Sequence, residues 1–457
     1  MQGTKAKTLN RKASSRVVAL AWPLILSNVT VPLLGLVDTA VMGHLPDSDY
    51  LGAVTLGATL FSFLYWGFGF LRMGTTGFVA QAHGRNDADA LRELLAQGLV
   101  IAAAIGAALI ALAPWVVPAA LSLFDASPAV TGLANTYATW RIASAPAVLA
   151  NYVLIGWFLG LARTRVTLVL MLVNNVINIV LDLWLVVGLG WTVAGVALAS
   201  VIADYLALAT ALALAAAHLR RLGGRLLPAR LAEPARYLRL LRVNAALFVR
   251  TLCLLFAIAF FHAQGARFGD DILAANAVLM QFLMLTSYAL DGFAHAAEAL
   301  VGEALGRDSR RRLAAVVRAA TLWSLVSAVL ASVAFAMAGE AIIALLTDLP
   351  RVRAIAADYL PWLIALPLVA VWSYLLDGLF IGATRARAMR DTMLVAVIAV
   401  YLPAWWLTRG WGNHGLWFAF LLFTLARSGG LGLVFRRADY GAGWLPADPL
   451  TPGGRGG

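Results

Sequence analysis

The chain has 457 residues, 61% of them hydrophobic and only 13% charged. Soluble domains carry roughly a quarter charged residues, so a soluble globular protein is excluded. Apolar runs long enough to span a bilayer recur from end to end, the pattern of a polytopic membrane protein.

Residues 1–16, "MQGTKAKTLNRKASSR", are polar and basic and read as a cytoplasmic tail. The apolar segment after them is too long for a signal peptide and lacks a small-residue cleavage pattern. Twelve apolar segments follow, at 17–43, 51–80, 94–119, 129–160, 166–188, 193–218, 240–263, 273–303, 315–346, 354–382, 392–408 and 413–435. Several exceed the ~20 residues that span a membrane, which predicts tilt, kinks or turns outside the bilayer. The expected fold is all-α, with an N-lobe at 17–218, a basic cytoplasmic linker at 219–239, a C-lobe at 240–435 and a tail at 436–457.

The positive charge orients the chain. Of the 35 Lys and Arg residues, 27 lie in, or within four residues of, the N-terminus, the connections after even-numbered segments and the C-terminal tail. Four, Arg267, Arg351, Arg353 and Arg409, fall on the opposite side, and Arg72, Arg141, Arg250 and Arg427 fall within apolar segments. By the positive-inside rule both termini are cytoplasmic. The net charge of +12 is thus a topology signal, and no nucleic-acid partner is expected.

An internal repeat runs at a constant offset of 222 residues. "YATWRIASAPAVLANYVLIGWFLGLARTR" (137–165) and "YLPWLIALPLVAVWSYLLDGLFIGATRAR" (359–387) match at 11 of 29 positions without a gap, Gly156/Gly378 and Gly160/Gly382 among them. "VAQAHGR" (79–85) aligns with "VGEALGR" (301–307) at the same offset. Six helices per unit return the chain to one side, so the two bundles enter the membrane in the same orientation. This parallel repeat is a common plan of secondary transporters.

Ionisable residues inside a membrane are costly, at least ~2.5 kcal/mol for an Asp at a helix centre, and each is a functional candidate. In the N-lobe these are Asp38, Asp182 and Asp204; in the C-lobe they are Asp291, Glu298 and Asp377, with Arg250. Asn174, Asn178 and Asp182 are spaced i, i+4, i+8 in the fifth segment, and Ser200 and Asp204 i, i+4 in the sixth. Such spacing keeps each set on one helix face, a face that must look into the bundle. Amides beside a carboxyl group suit a site that changes protonation state. Asp291, His295 and Glu298 share a face of the eighth segment, where the lone histidine reads as a packing or hydrogen-bonding residue.

Pro23 and Pro32 lie inside the first segment, where each removes a backbone hydrogen bond and bends the helix. Their repeat partners are Ala245 and Leu254, so bending is a property of the N-lobe, as static kink or as hinge. The single cysteine, Cys253, offers no disulfide or thiolate metal site. There is no HExxH motif, and all three lysines sit in the first twelve residues, so no phosphate-gripping loop is available.

The stretches "LAWPLIL", "GLVDTAVMGHL", "FLRMGTTGFVAQAHGR", "NNVINIVLDLWLV" and "TSYALDGFAHAAEALVGEALGR" resemble the multidrug and toxic compound extrusion (MATE) antiporters, in their bacterial DinF-like branch. The resemblance covers residues 15 to 435. It implies a two-lobed, V-shaped twelve-helix exporter that antiports cationic or amphipathic drugs against H⁺ or Na⁺. By the same resemblance Asp38 is the first-helix coupling acid, Asn178 and Asp182 are its fifth-helix partners, Ser200 is a sixth-helix hydroxyl and Pro23 the bending proline. The NorM-like branch has a C-lobe cation site built from a seventh-helix glutamate and a tenth-helix aspartate. Here Asp377 matches the aspartate, but Arg250 stands at the glutamate position, which argues against that site.

These readings predict an H⁺-coupled drug exporter of a bacterial inner membrane, without cofactor and monomeric, acting on small drug-like molecules within the lipid bilayer. Na⁺ at Asp38, Asn178 and Asp182 is the alternative ion. The rival function is a flippase or exporter of lipid-linked or amphipathic lipid substrates, which the intramembrane arginines would suit. An enzyme is not expected, because the longest cytoplasmic connection holds a single acid, Glu233.

Overall fold

A computed structural model describes residues 2–43, 48–124 and 126–445. The side chains of Pro32 and Asp38, and the end of the C-terminal tail, lie outside the described residues. Every regular element among the described residues is helical. In chain order the helices are α1 (Gln2–Gly43), α2 (Ser48–Gly67), α3 (Phe70–Gly84), α4 (Ala88–Leu121), α5 (Pro128–Arg141), α6 (Ala145–Gly160), α7 (Thr164–Asp182) and α8 (Val193–Leu222). They continue as α9 (Pro228–Leu231), α10 (Pro234–Ala266), α11 (Asp270–Gly306), α12 (Arg310–Leu346), α13 (Pro350–Gly382), α14 (Ala386–Val395), α15 (Leu402–Thr408) and α16 (Asn413–Arg437).

Several predicted segments are each two helices in series. Segment 51–80 is α2 and α3, interrupted at Phe68 and Gly69 between glycines. Segment 129–160 is α5 and α6 joined by a 3₁₀ turn at Ile142–Ser144, just before Pro146, whose ring nitrogen has no hydrogen to continue an α-helix. Wide π turns follow α7 at Leu183–Gly188 and α14 at Ala396–Tyr401, the second meeting Pro403. Counting such pairs as one, eleven helical stretches among the described residues are long and apolar enough to cross a membrane. Large apolar side chains stay exposed along them, Trp115, Leu330, Met337 and Leu407 among them, as lipid-facing surfaces require.

The polar residues 2–16 form the first turns of α1, because Lys, Arg and Ala are good helix formers. Two side chains there are anchored: Arg16 pairs with buried Glu303 at 2.7 Å, and Trp323 donates to the Ser14 hydroxyl at 2.7 Å.

By contacts the chain divides into two units. One holds Met1–Ile25, Ala80–Arg85 and Leu241–Gly457, the other Leu26–Val79 and Asn86–Leu240. The division cuts α1 between Pro23 and Pro32. The first unit packs its core around Phe261, Phe282, Tyr401, Trp417 and Phe423, the second around Phe61, Tyr65, Tyr137 and Val196. In the second, the linker stretch is tied to α4: Glu93 accepts from Arg230 at 3.0 Å and Arg236 at 2.8 Å, and Asp89 from the Arg225 backbone at 2.7 Å.

The 222-residue repeat is visible in the backbone. Among the non-glycine residues in the left-handed region, Asn86 (φ 57°) pairs with Asp308 (φ 48°), and Ala162 (φ 57°) with Thr384 (φ 55°). The next amide after each of the latter closes the same helix-ending bond, Arg163 to Phe158 and Arg385 to Phe380, both 2.9 Å. Asp87 and Ser309, again 222 apart, each cap the following helix from the side chain.

Glycines of the repeat set the helix contacts. A Cβ on Gly156 would lie 2.5 Å from the carbonyl oxygen of Arg72, and one on Gly160 2.8 Å from that of Thr76. At the repeat offset Gly378 meets the carbonyl of Ala294, and Gly382 that of Glu298. Thus α6 lies on α3, and α13 on α11, backbone to backbone.

Candidate functional site

In the second unit the polar face of α7 meets α8. Asp182 is fully buried and Asn178 nearly so. One end of the Asn178 amide lies 2.8 Å from Asp182 Oδ2, the other 2.9 Å from Ser200 Oγ and 3.2 Å from the Ser200 backbone nitrogen. Only one orientation satisfies both ends: the amide nitrogen donates to the carboxylate, and the amide oxygen accepts from the Ser200 hydroxyl and N–H. Asp182 is also the last α-helical residue before the π turn, in which the Leu189 N–H reaches back five residues to the Trp184 carbonyl at 3.0 Å. Such turns recur at functional sites.

The neighbouring predicted residues have other partners. Asn174 is half-buried, one turn before Asn178. The residue beside it, Asn175, makes the link to α1, donating to the Thr30 hydroxyl at 3.0 Å. Asp204, one turn beyond Ser200, pairs with Arg141 at 2.6 Å. Arg141 also bonds Ser144 and lies 5.4 Å from the Tyr65 ring centre, over its face. Among the five described polar N-lobe candidates, Asn178, Asp182 and Ser200 come together, and Asp204 belongs to an ion pair. Pro23 is buried in α1, and the α1 backbone at Ala21 approaches α11 at Gly292.

In the first unit Asp377 accepts from Arg250 and, at 2.8 Å, from Arg427, both on its Oδ2. All three are buried. Sequence reasoning paired Asp377 with Arg250 by position but left Arg427 out, although an arginine inside an apolar segment was signal enough. On α11, Asp291 and His295 are half-buried and Glu298 is buried. Tyr374, bonded to Ser287, lies within electrostatic range of Asp291, Arg427 and Asp377.

The MatE family model matches the chain twice, over residues 23–184 and 246–406. The two matches end 222 residues apart, the offset of the repeat. The chain belongs to the MATE family. It is 46% identical over 431 residues to DNA damage-inducible protein F of Escherichia coli (strain K12), covering 94% of this chain and 93% of that protein. Multidrug resistance protein PmpM of Pseudomonas aeruginosa is 28% identical over 178 residues, 39% of this chain and 37% of its own length. A solved outward-facing structure of a multidrug resistance MATE family transporter of the MOP superfamily matches with a TM-score of 0.83. It covers 96% of this chain and 98% of that one at 19% identity, and so speaks for the fold. As a MATE protein the chain is a multi-pass membrane transporter and not an enzyme.

Proposed function

We propose that this MATE protein is a proton-coupled exporter of small cationic or amphipathic organic compounds in a bacterial inner membrane, working as a monomer by alternating access. The proposed moving bodies are the lobes 17–218 and 240–435, joined by the linker 219–239, with both termini cytoplasmic. Asp38 is the proposed coupling carboxylate and Asp182 its partner. The observation that carries the reading is the buried Asp182 carboxylate held by the Asn178 amide, itself held by Ser200. Such a group can exchange a proton without dismantling its surroundings.

Register supports the pairing. Asn175 holds α7 to α1 at Thr30. Asp182 is seven residues beyond Asn175 and Asp38 eight beyond Thr30. Both helices run from the cytoplasm outward in the proposed topology, so at about 1.5 Å rise per residue the two acids reach similar depth. Protonation of Asp38 from an acidic exterior would remove its charge, bend α1 between Pro23 and Pro32 and release a cationic substrate.

The test is drug flux in proteoliposomes with a pH or a Na⁺ gradient imposed one at a time. The pH gradient alone is expected to drive export, and Asp38→Asn to abolish it. Flux driven by Na⁺ alone, or wild-type flux in Asp38→Asn, overturns the reading.

A further inference from the structure

Ser200 holds the Asn178 amide, and the turn of α8 beyond Ser200 is itself held in place. Arg141, the last residue of α5, donates to Asp204 Oδ2 at 2.6 Å and also bonds the Ser144 hydroxyl. Asn151 of α6 donates to the Asp204 carbonyl at 3.0 Å, and the Tyr205 hydroxyl donates to the Ala143 carbonyl at 3.0 Å. Three bonds thus run from α5, α6 and the turn between them to Asp204 and Tyr205, four and five positions beyond Ser200. The Arg141–Asp204 pair is balanced in charge and largely buried.

The anchor sits on the break between α5 and α6. A broken helix frees carbonyl groups that a membrane interior cannot leave unpaired, and hydroxyl side chains commonly take them up. Here the Ser144 hydroxyl donates to the Arg141 carbonyl at 2.9 Å, and Tyr205 takes that of Ala143. The Tyr65 hydroxyl of α2 bonds Ser144 in turn, at 3.0 Å. Discontinuous helices of this kind commonly build the ion sites of transporters.

The other repeat does without all of this. At the 222-residue offset Arg141, Ser144 and Asp204 become Leu363, Leu366 and Ala426, and α13 runs unbroken from Pro350 to Gly382. Leu363 and Leu366 are part of the apolar core there. Asn178, Asp182 and Ser200 give way as well, to Val400, Ala404 and Leu422. A six-helix unit therefore folds without the ion pair, and the pair occurs in the repeat that carries the buried carboxylate site.

We propose that Arg141 and Asp204 are positioning residues of the Asp182 site. By fixing the turn of α8 beyond Ser200, they keep Ser200 where it aims the Asn178 amide at the Asp182 carboxylate. Asp204 in this assignment is the counter-ion of Arg141 and not a second coupling acid. The assignment rests on the proposed role of Asp182 in proton coupling and adds the residues that hold its network in place.

The experiment uses the full chain in proteoliposomes, with ethidium as the organic cation, in two assays. Net efflux driven by an imposed pH gradient needs the proton site. Exchange of labelled for unlabelled ethidium without a gradient does not. Arg141→Leu combined with Asp204→Ala installs the residues of the other repeat and leaves neither charge unpaired, so it is expected to fold. Its net efflux is expected to fall about tenfold, the order set by one hydrogen bond to a charged group, while exchange stays near wild type. Equal losses in both assays, or undiminished net efflux in the folded double variant, overturn the inference. Tyr205→Phe removes one hydroxyl from the same anchor and serves where the double variant does not fold. It is expected to lose net efflux and keep exchange, and unchanged net efflux in it overturns the inference. A wild type whose efflux no pH gradient drives overturns the coupling reading, and this assignment with it.

Discussion

Arg427 and Arg250 are 177 residues apart in the chain, yet both donate to Oδ2 of Asp377. Their shared carboxylate makes the three positions unequal. Asp377→Asn leaves two buried guanidinium groups facing each other and is expected to cost on the order of 3–5 kcal/mol. Arg427→Met is expected to cost less, because it leaves the Arg250–Asp377 pair in place. Thermal unfolding of the two variants in the same detergent checks the order: Asp377→Asn melts well below wild type, Arg427→Met near it.

The glycine contacts give a second prediction. Gly156→Ala drives a methyl group into the Arg72 carbonyl, and Gly378→Ala does the same at Ala294. Overpacking of this kind costs about 1–3 kcal/mol, and both variants should lose Tm and yield. Gly132, in α5 with open space around it, is the control. Gly132→Ala should be neutral or stabilising, by up to about 1 kcal/mol.

Removing the amide between two polar partners is the third test. Asn178→Leu leaves the Asp182 carboxylate and the Ser200 hydroxyl without the group that joins them. The expected loss is about 1–3 kcal/mol, together with gradient-driven drug flux. Ser200→Ala keeps the amide-to-carboxylate bond and should retain part of the flux. Equal flux in wild type and Asn178→Leu would remove this network from the coupling mechanism.

The linker offers a fourth. Glu93 is buried while Arg230 and Arg236 remain 40% and 38% exposed, so solvent screens both pairs and they add little to stability. Glu93→Gln should therefore leave Tm almost unchanged but loosen residues 219–239. Limited trypsin digestion should cut at Arg225 and Arg230 faster in the variant, and high salt should narrow the difference by accelerating wild type.

Much of this architecture was readable from the chain alone, because membrane insertion turns hydropathy and arginine placement into topology. The 222-residue repeat foretold paired glycines, and the backbone shows what they do. Asn178 and Asp182 were found by spacing, whereas Asn175, the residue bonded to Thr30, was passed over for Asn174. Steps of four residues advance about 40° around a helix, so i, i+4, i+8 covers a wide arc and does not single out the residue nearest a neighbour. Partners distant in sequence were invisible for another reason. Arg141 and Asp204, or Glu93 and Arg236, announce two charges but not that they meet, since only the packing of helices brings them within reach.

The backbone contacts at Gly156 and Gly378 also limit where shape can change. Side chains that interlock can shift from one rotamer to another and let helices slide. A carbonyl resting against a glycine has no such second position. Helices α3 and α6 therefore behave as one girder, and α11 and α13 as another. Any mechanical cycle of this protein has to flex outside these two helix pairs.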